Sequence, residues 1–388
     1  MADSHAQVVL IGAGHAHLHV ARSARQLVEQ GRQGVGGVRV TLVDPGRFWY
    51  SGLATGMLGG AYEPQQNDLD PAPLIEAAGG TFVRDALVSI DRGNRVVRLA
   101  SGESLGYDAL SLNLGSRVPV EEIPGAAEHA WPVKPISNLH RLRRYLETCF
   151  AVDCLDHMAV VGGGPTGCEV ACNLAELARR HQSSAKVTLF TRASRLLPHG
   201  PHGASRFMRR WMRRQNIDVH VNMPIERVDH HHVTGRGQKF PADLTVMATG
   251  LRPPRLVQEL GLPVGEDGGL LVDAPLHSPA DRRIFGAGDC ITFGPRPLAK
   301  VGVYGVRQGP ILLHNLRAAV TDQPMRPFRP QRTFLAILNI GRGQGLALRG
   351  RLWAHGAWCM WWKDYLDRRF LAAHRVAAER AGEKAGGR

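Results

Sequence analysis

Two glycine-rich turns in this chain have the residue types and the spacing needed to bind the pyrophosphate of a dinucleotide. The first lies in residues 8–17 (VVLIGAGHAH) and the second in residues 158–169 (MAVVGGGPTGCE), about 150 residues later. Glycine lets a buried strand reverse sharply into a helix, and it lets phosphate oxygens approach the backbone. The helix that follows offers free N–H groups and the positive end of its dipole to those oxygens.

Each turn contains glycines to which we assign a role in dinucleotide binding: Gly12 and Gly14 in the first, and Gly162, Gly164 and Gly167 in the second. The apolar runs before both turns are continuous rather than alternating, which is typical of parallel strands covered on both faces. One such turn is a weak signal, whereas two of them predict a protein that binds two dinucleotides. The simplest pair is a flavin in one domain and a nicotinamide in the other.

Acidic residues after the predicted strands indicate where the first dinucleotide would be held. Asp44 ends the strand at residues 38–44, and a carboxylate there suits the two hydroxyls of an adenosine ribose. The gap from Gly12 to Asp44 is 32 residues, longer than the roughly 20 residues that are typical. We expect a loop at residues 31–37 to absorb the excess. Downstream, residues 283–289 (RIFGAGD) contribute Gly288 and Asp289.

The strand end after the second turn differs from that of NAD-specific proteins. Thr191 and Arg192 follow the strand at residues 186–190, where NAD sites favour an acid. Because an arginine can accept a 2′-phosphate, this pattern favours NADPH over NADH. It also leaves open a site that binds no nicotinamide well. A strand at residues 242–250 closes this region at Gly250, which we assign to the same site.

The composition is that of an ordinary globular protein. The chain has 388 residues, of which 44% are hydrophobic and 21% are charged. No apolar run reaches the roughly 18 residues of a membrane span. We see no signal peptide, and the six cysteines form no dense framework. These features predict a cytoplasmic protein.

The net charge of +14 is concentrated at the C-terminal end. Residues 326–388 contain thirteen Lys or Arg and four Asp or Glu, a net charge of +9. A basic surface can attract nucleic acid, anionic lipid or an anionic cofactor. An arginine-rich composition is equally typical of a GC-rich genome. We predict neither a nucleic-acid partner nor a bound metal ion.

Together these patterns predict an α/β protein with two Rossmann-like dinucleotide-binding domains. The first domain would comprise residues 1–118 and 266–325, and the second residues 158–265. Residues 119–157 would connect them. A C-terminal segment would follow at residues 326–371, with a frayed or disordered tail at residues 372–388.

Further motifs lie at residues 14–17 (GHAH), 50–52 (YSG), 132–136 (PVKPI), 302–309 (GVYGVRQG) and 362–370 (WKDYLDRRF). With these motifs the whole chain resembles the FAD-dependent pyridine nucleotide-disulfide oxidoreductase superfamily, whose fold is that of glutathione reductase. Within it the chain resembles the type II NADH dehydrogenases. Its resemblance to the flavoprotein module associated with selenophosphate synthetase is closer still.

The resemblance implies a role for each matching residue. Gly12, Gly14 and Asp44 would hold the adenosine half of FAD, with His15 near its phosphates at the start of the first helix. Asp289 would bind the ribityl chain, and the second glycine turn would bind NAD(P)H. Glu169 matches a catalytic glutamate near the nicotinamide and the flavin. The remaining matches lie at the helix start beside the isoalloxazine ring: Gln308, which we assign as a second catalytic residue, and Gly309, which we assign to cofactor binding.

The implied activity is hydride transfer from NAD(P)H to the flavin, followed by electron transfer to an acceptor, with a quinone favoured. The alternative is an accessory flavoprotein that acts with a protein partner in selenium or sulfur metabolism. His17 stands where the first turn usually has its third glycine, so its imidazole needs room or must point to solvent.

The cysteines and histidines have a more ordinary explanation than catalysis. Cys149 and Cys154 have the spacing of a redox pair, but they lie in the connection rather than after the first acidic strand end. Cys168 and Cys359 would suggest a sulfide:quinone oxidoreductase only if both approached the flavin. Cys168 and Cys172 lie at i, i+4 and suit a buried helix face. Residues 230–232 (HHH) are most simply an exposed turn.

Two segments could contact other molecules. Residues 206–214 (RFMRRWMRR) predict an amphipathic helix with arginines on one face. Residues 353–370 combine tryptophans with basic residues, which suits a membrane interface. The alternatives are a hydrophobic lid on the flavin domain or a homodimer contact. By resemblance we expect a protein that is peripheral on the inner face of the plasma membrane.

Overall fold

A six-stranded sheet forms the first nucleotide domain in the computed structural model, which describes residues 5–31 and 37–385. Every strand pair is parallel except for the antiparallel pair at one edge, His277–Ser278 with Asp281–Gly286. Most of the predicted loop at residues 31–37 lies outside the described residues. In spatial order the strands are His277–Ser278, Asp281–Gly286, Ala109–Leu112, Ala6–Ile11, Val38–Val43 and Thr81–Val83.

The centre of this sheet explains the unbroken apolar run before the first glycine turn. The strand Ala6–Ile11 pairs with Val38–Val43 on one side and with Ala109–Leu112 on the other. Val8 and Leu10 are completely buried, as are their neighbours on adjacent strands. Strands covered on both faces need apolar residues at consecutive positions, which is the pattern the sequence has.

A second, wholly parallel sheet of five strands forms the second nucleotide domain. Its first strand comes from the predicted connection, and its central strand leads into the second glycine turn. In spatial order the strands are Ala130–Pro132, Leu244–Met247, His157–Val161, Lys186–Phe190 and Ile217–His220.

Five small sheets complete the strand structure of the described residues. One three-stranded antiparallel sheet comprises Leu87–Asp91, Val96–Leu99 and Ser104–Gly106, a second Arg227–Val228, His232–Gly235 and Gln238–Pro241, and a third Ala336–Asn339, Gly345–Arg349 and Leu352–Gly356. The two-stranded sheets are Phe48–Trp49 with Asp68–Leu69, and Leu270–Val272 with Ile291–Phe293.

The helices lie on the faces of the two main sheets and at the C-terminal end. Their bounds are His15–Arg22, Arg25–Gly31, Ser51–Leu58, Pro64–Asn67, Ala72–Glu76, Ala126–His129, Ser137–Ala151, Pro165–Arg180, His202–Arg214, Leu256–Glu259, Gly302–Thr321 and Ala357–Ala385. Residues 372–385, which the sequence predicts to be frayed or disordered, are therefore helical here.

Each main sheet has its own hydrophobic core. Tyr50 and Phe370 pack against both cores, and their rings stack with centroids 4.8 Å apart. Phe370 belongs to the C-terminal helix, so this helix closes the junction between the two domains. Among the described helices, none is both long and apolar enough to cross a membrane.

Candidate active site

A cavity of about 650 Å³ runs along the carboxyl ends of the first sheet. Ligands of open parallel sheets bind at this edge, because the loops that follow the strands meet there. The cavity is lined by six of the residues predicted from the sequence: Gly12, Gly14, His15, Asp44, Gly288 and Asp289.

The first glycine turn is shaped by contact with Asn113. Gly12 has φ +89°, and a Cβ there would lie 2.6 Å from the carbonyl oxygen of Asn113. A Cβ on Gly14 would lie 2.4 Å from the Asn113 side-chain oxygen. That oxygen accepts hydrogen bonds from Ala16 N (3.1 Å) and His17 N (3.3 Å). Both glycines are thus required for the turn to fit.

Asn113 also joins the turn to the Gly-Asp element. Its Nδ2 donates to Ala287 O at 2.7 Å, immediately before Gly288. In the described part of the chain, the N–H groups of Gly14 and His15 donate to no protein acceptor. They remain free for phosphate oxygens at the helix start. We did not single out Asn113 from the sequence, although a polar residue directly after the buried strand Ala109–Leu112 was a signal.

Asp44 lies at the rim of the cavity and is held by two backbone amides. Its Oδ2 accepts from Ala13 N at 2.6 Å, and its Oδ1 accepts from Gly46 N at 2.8 Å. Burial raises the pKa of Asp44, while these two hydrogen bonds lower it. A carboxylate oxygen has more than one acceptor site, so the fixed group can still accept ribose hydroxyls.

His17 points into the core rather than to solvent. The side chain is fully buried, with Nδ1 2.6 Å from Gly12 O and Nε2 2.8 Å from Ser111 Oγ. The carbonyl must accept, so Nδ1 carries the proton and Nε2 accepts from the Ser111 hydroxyl. Burial lowers the pKa of His17 to about 4. The imidazole therefore supports the turn as a neutral group.

A second cavity of about 300 Å³ adjoins the first. Five residues line both cavities: Ser51, Lys134, Ile136, Asp289 and Gly302. Asp289 lies at this junction, where its Oδ2 accepts from Ser116 Oγ at 2.8 Å and lies 3.8 Å from Lys134 Nζ. The two cavities thus meet at a charged group that the sequence singled out.

Glu169 lines the second cavity together with Thr166, one turn into the second fingerprint helix Pro165–Arg180. Its Oε1 accepts from Asn339 N at 2.8 Å and from Thr55 Oγ1 at 3.2 Å. Burial raises the pKa of Glu169, against the smaller lowering effect of the Lys363 charge. The carboxyl is therefore both positioned and biased towards its protonated form.

Lys363 brings the C-terminal helix into the second cavity. It is only 7% exposed, and its ammonium donates to Gly52 O and forms a 2.6 Å ion pair with Asp367. From the sequence we count it among the basic residues of a possible membrane interface, and its burial shows that it faces the protein instead. The i, i+4 spacing of the lysine and the aspartate was the available signal.

The second glycine turn has the backbone of a dinucleotide fingerprint. Gly162 has φ +133°, and a Cβ on Gly167 would lie 1.9 Å from Gly162 O. A Cβ on Gly164 would meet open space. Thr191 is buried, whereas Arg192 and Gly250 are exposed. Arg192 is therefore accessible to a phosphate beside this turn.

Two predicted residues do not lie where the sequence analysis places them. The helix whose first turn lines the cavities begins at Gly302, and Gln308 and Gly309 come almost two turns later. Gln308 is fully buried, and its Oε1 accepts from Gly288 N at 2.7 Å. A Cβ on Gly309 would lie 2.7 Å from the Cβ of His19. Neither residue lines the two cavities, so we correct both assignments to supporting contacts.

The cysteines lie away from the two cavities. All six are free thiols, and Cys168, Cys172 and Cys359 are buried. Neither Cys168 nor Cys359 lines either cavity. Over residues 5–31 and 37–385, no group of three or more His, Cys, Asp or Glu could hold a metal ion.

The aromatic segment splits between the two faces of the C-terminal helix. Lys363, Asp367 and Cys359 face inward and are buried. Trp361 is 82% exposed and Tyr365 is 61% exposed. The other exposed apolar residues here are Leu352, Trp353, Trp358, Trp362 and Leu366. The helix therefore packs on the flavin domain and still leaves a broad aromatic surface uncovered.

Comparison with known proteins agrees with this geometry. The family model described as pyridine nucleotide-disulphide oxidoreductase matches residues 6–313. An NADH dehydrogenase-like protein of Bacillus subtilis is 23% identical, over 88% of this chain and 92% of its own. A demethylphylloquinone reductase of Synechocystis is 24% identical, over 90% of both chains.

Among solved structures, NDH2 from Plasmodium falciparum in complex with NADH superposes with a TM-score of 0.82. Its sequence identity is 16%, and the match covers 99% of both chains. The predicted two-domain Rossmann-like fold is thereby confirmed, as is the likeness to type II NADH dehydrogenases. The protein belongs to the pyridine nucleotide-disulphide oxidoreductase family.

Proposed function

We propose that this protein is an FAD-dependent NAD(P)H:quinone oxidoreductase. The observation that carries the proposal is the junction of the two cavities at Ser51, Lys134 and Asp289. A flavin held along the first sheet would there meet a nicotinamide held by the second fingerprint helix. The relatives named for NADH dehydrogenase and quinone reductase activity support the same pair of substrates.

The first cavity fits FAD better than a mononucleotide. Asp44 lies at the rim on one side and Asp289 at the junction on the other, with the free N–H groups of Gly14 and His15 also in the lining. Only a dinucleotide presents a second ribose to Asp44 and a pyrophosphate to the helix start. When bound, the flavin would supply hydride acceptance from the nicotinamide and electron delivery to the quinone.

Two ionisable side chains of the protein, Lys363 and Glu169, line the second cavity. Lys363 places a fixed ammonium beside Gly52, with Asp367 as its counter-ion. Glu169 holds Asn339 and Thr55 through Oε1, and its raised pKa favours a proton on the carboxyl. Lys363 and Glu169 can therefore orient a bound ring, and Glu169 can exchange a proton with the edge of that ring.

The exposed aromatic surface supports peripheral contact with a membrane, which is where a lipophilic quinone dissolves. Tryptophan and tyrosine are enriched at the membrane–water interface, and large exposed apolar patches usually mark a contact. We propose that the protein works in the cytoplasm, on the inner face of the plasma membrane. A homodimer through the same surface is the competing arrangement.

Rapid mixing of the purified yellow protein with NADH or NADPH tests the proposal. Bleaching of the flavin absorbance by either nucleotide, followed by reoxidation with a quinone, is expected. Analytical ultracentrifugation with and without lipid would separate dimer from membrane contact. A flavin that neither nucleotide reduces would overturn the assigned activity.

A further inference from the structure

The helix His202–Arg214 carries an exposed arginine face with no partner. Its inner face buries Ala204, Met208 and Met212 against the second nucleotide domain. Its outer face exposes five arginines, none of which forms an ion pair or a hydrogen bond with any described residue. They are Arg206, Arg209, Arg210, Arg213 and Arg214. Such a run of unneutralised guanidinium groups suits an anionic partner.

This arginine face borders the aromatic surface of the C-terminal segment. The ring of Phe207 stacks on His355 with centroids 4.1 Å apart and lies 5.8 Å from Trp353. Arg210 and Arg214 follow Phe207 by three and seven residues, so all three share one side of the helix. The strand that carries Trp353 leads directly into the aromatic helix.

Basic residues also border the aromatic surface elsewhere. Arg349 and Arg351 are exposed at the turn before Leu352, which is itself 73% exposed. Arg368 and Arg369 are exposed on the aromatic helix. Arginines around an apolar patch can keep their charged heads at the level of lipid headgroups while the patch is buried.

We propose that the arginine face of helix His202–Arg214 binds anionic lipid headgroups when the aromatic surface contacts the membrane. This inference rests on the membrane contact proposed above. Continuity with the exposed tryptophans through the contact of Phe207 with Trp353 favours a lipid surface over an acidic protein, because lipid suits both an aromatic surface and an arginine face. The nucleotide domain would thereby be held at the membrane by electrostatics, in addition to the C-terminal helix.

Vesicle flotation of the flavin-loaded protein tests this. The vesicles are pure phosphatidylcholine or contain phosphatidylglycerol, and the variants are R210Q/R214Q and R282Q/R283Q. The second variant removes the same charge from exposed positions on the strand Asp281–Gly286 of the other domain. Each arginine near an anionic surface is worth on the order of 1 kcal/mol, so R210Q/R214Q should weaken binding to anionic vesicles roughly tenfold to thirtyfold.

The control variant should bind within about twofold of the native protein, and binding to neutral vesicles should be the same for all three. Raised salt should remove the difference between the variants. If R210Q/R214Q floats with anionic vesicles as well as the control does, the arginine face does not bind lipid, and an acidic protein becomes its partner.

A third variant, W361S/W362S, separates this inference from the membrane contact itself. If it abolishes flotation with neutral vesicles, the aromatic surface contacts lipid as proposed. If it leaves all flotation unchanged, the proposed aromatic contact fails, and the inference that rests on it fails too, whatever R210Q/R214Q does. Reduction of a water-soluble quinone should be unchanged in every variant, which reports separately on the proposed activity.

Discussion

The Tyr50 hydroxyl donates a hydrogen bond of 2.8 Å to Asp367, which joins the first nucleotide domain to the C-terminal helix. The other oxygen of Asp367 holds Lys363 at 2.6 Å. The C-terminal helix is therefore part of the candidate site as well as the element of the proposed membrane contact. For this reason single substitutions on its outer face test membrane contact more cleanly than deletion of the helix.

Replacement of Asp44 with alanine should weaken FAD binding. The variant loses charge-assisted hydrogen bonds to the ribose, which are worth about 1.5–3 kcal/mol each, or roughly 10- to 100-fold in affinity. The ratio of flavin to protein absorbance after gel filtration measures this. Mass spectrometry of the released cofactor should identify FAD; recovery of FMN would contradict the assignment. Asp91, half-buried on a hairpin and outside the lining of both cavities, offers a control position.

Replacement of Glu169 with glutamine should remove a titration from flavin reduction. Burial raises the pKa of this carboxyl above 4.5, so the native group changes its charge above that pH. Glutamine mimics the protonated form and can still accept from Asn339 N. Rapid-mixing rates at a series of pH values should show a limb in the native protein that the variant lacks. Identical profiles would exclude Glu169 from the reacting site.

Replacement of Arg192 with alanine should weaken NADPH more than NADH. The guanidinium is exposed beside the second glycine turn, where a 2′-phosphate would lie. A loss of roughly tenfold for NADPH and less than threefold for NADH corresponds to one lost charge-assisted contact. Titration of each nucleotide into R192A and into the control R209A measures both. A strong NADH preference that R192A leaves unchanged would refute the prediction.

Joint replacement of Cys149 and Cys154 with serine should keep turnover within a few-fold of the native protein. Neither cysteine lines the cavities, and burial raises the pKa of Cys149, which disfavours a reactive thiolate. Both half-reactions should be followed separately. Collapse of either one would revive a thiol mechanism.

Acid should destabilise the fold through His17. Its pKa is about 4 when folded against 6.5 for an exposed imidazole, so the unfolded chain binds the proton more tightly. The stability is fully present above pH 6.5 and falls as the pH drops towards 4, by about 3 kcal/mol in all. His17→Gly should be less stable at pH 7 but should depend less steeply on pH between 6.5 and 4. Urea unfolding at several pH values tests this, and an unchanged slope would contradict it.

The local part of the site could be predicted from the sequence. Gly12, Gly14 and Asp44 are recognisable because their roles depend on the chain immediately around them. Asn113 and Lys363 were missed because their partners are distant in sequence: Asn113 contacts Ala287, and Lys363 contacts Gly52. Gln308 was misplaced because its motif fixes the helix but not the turn of the helix that faces the cavity.

Which face of the C-terminal helix is buried was not predicted, for a different reason. Pattern rules place apolar residues inside and charges outside. Here Lys363 is 7% exposed and Trp361 is 82% exposed, which inverts that rule. Periodicity alone does not reveal which face of a helix is inside. In this helix the inner face is the one that carries the buried ion pair, and the aromatic face is left uncovered.

The position of Lys363 near the end of the chain has a consequence for biosynthesis. The last helix supplies Lys363 to the second cavity, Asp367 as the counter-ion of Lys363, and Phe370 to both cores. A nascent chain that still lacks this helix on the ribosome has an open junction beside its flavin cavity. Because the Phe370 ring lies 5.6 Å from the ring of His15, which lines the first cavity, we expect stable loading of the cofactor to follow translation of residue 370. A chain that ends before this helix should therefore be purified with less flavin than the native protein.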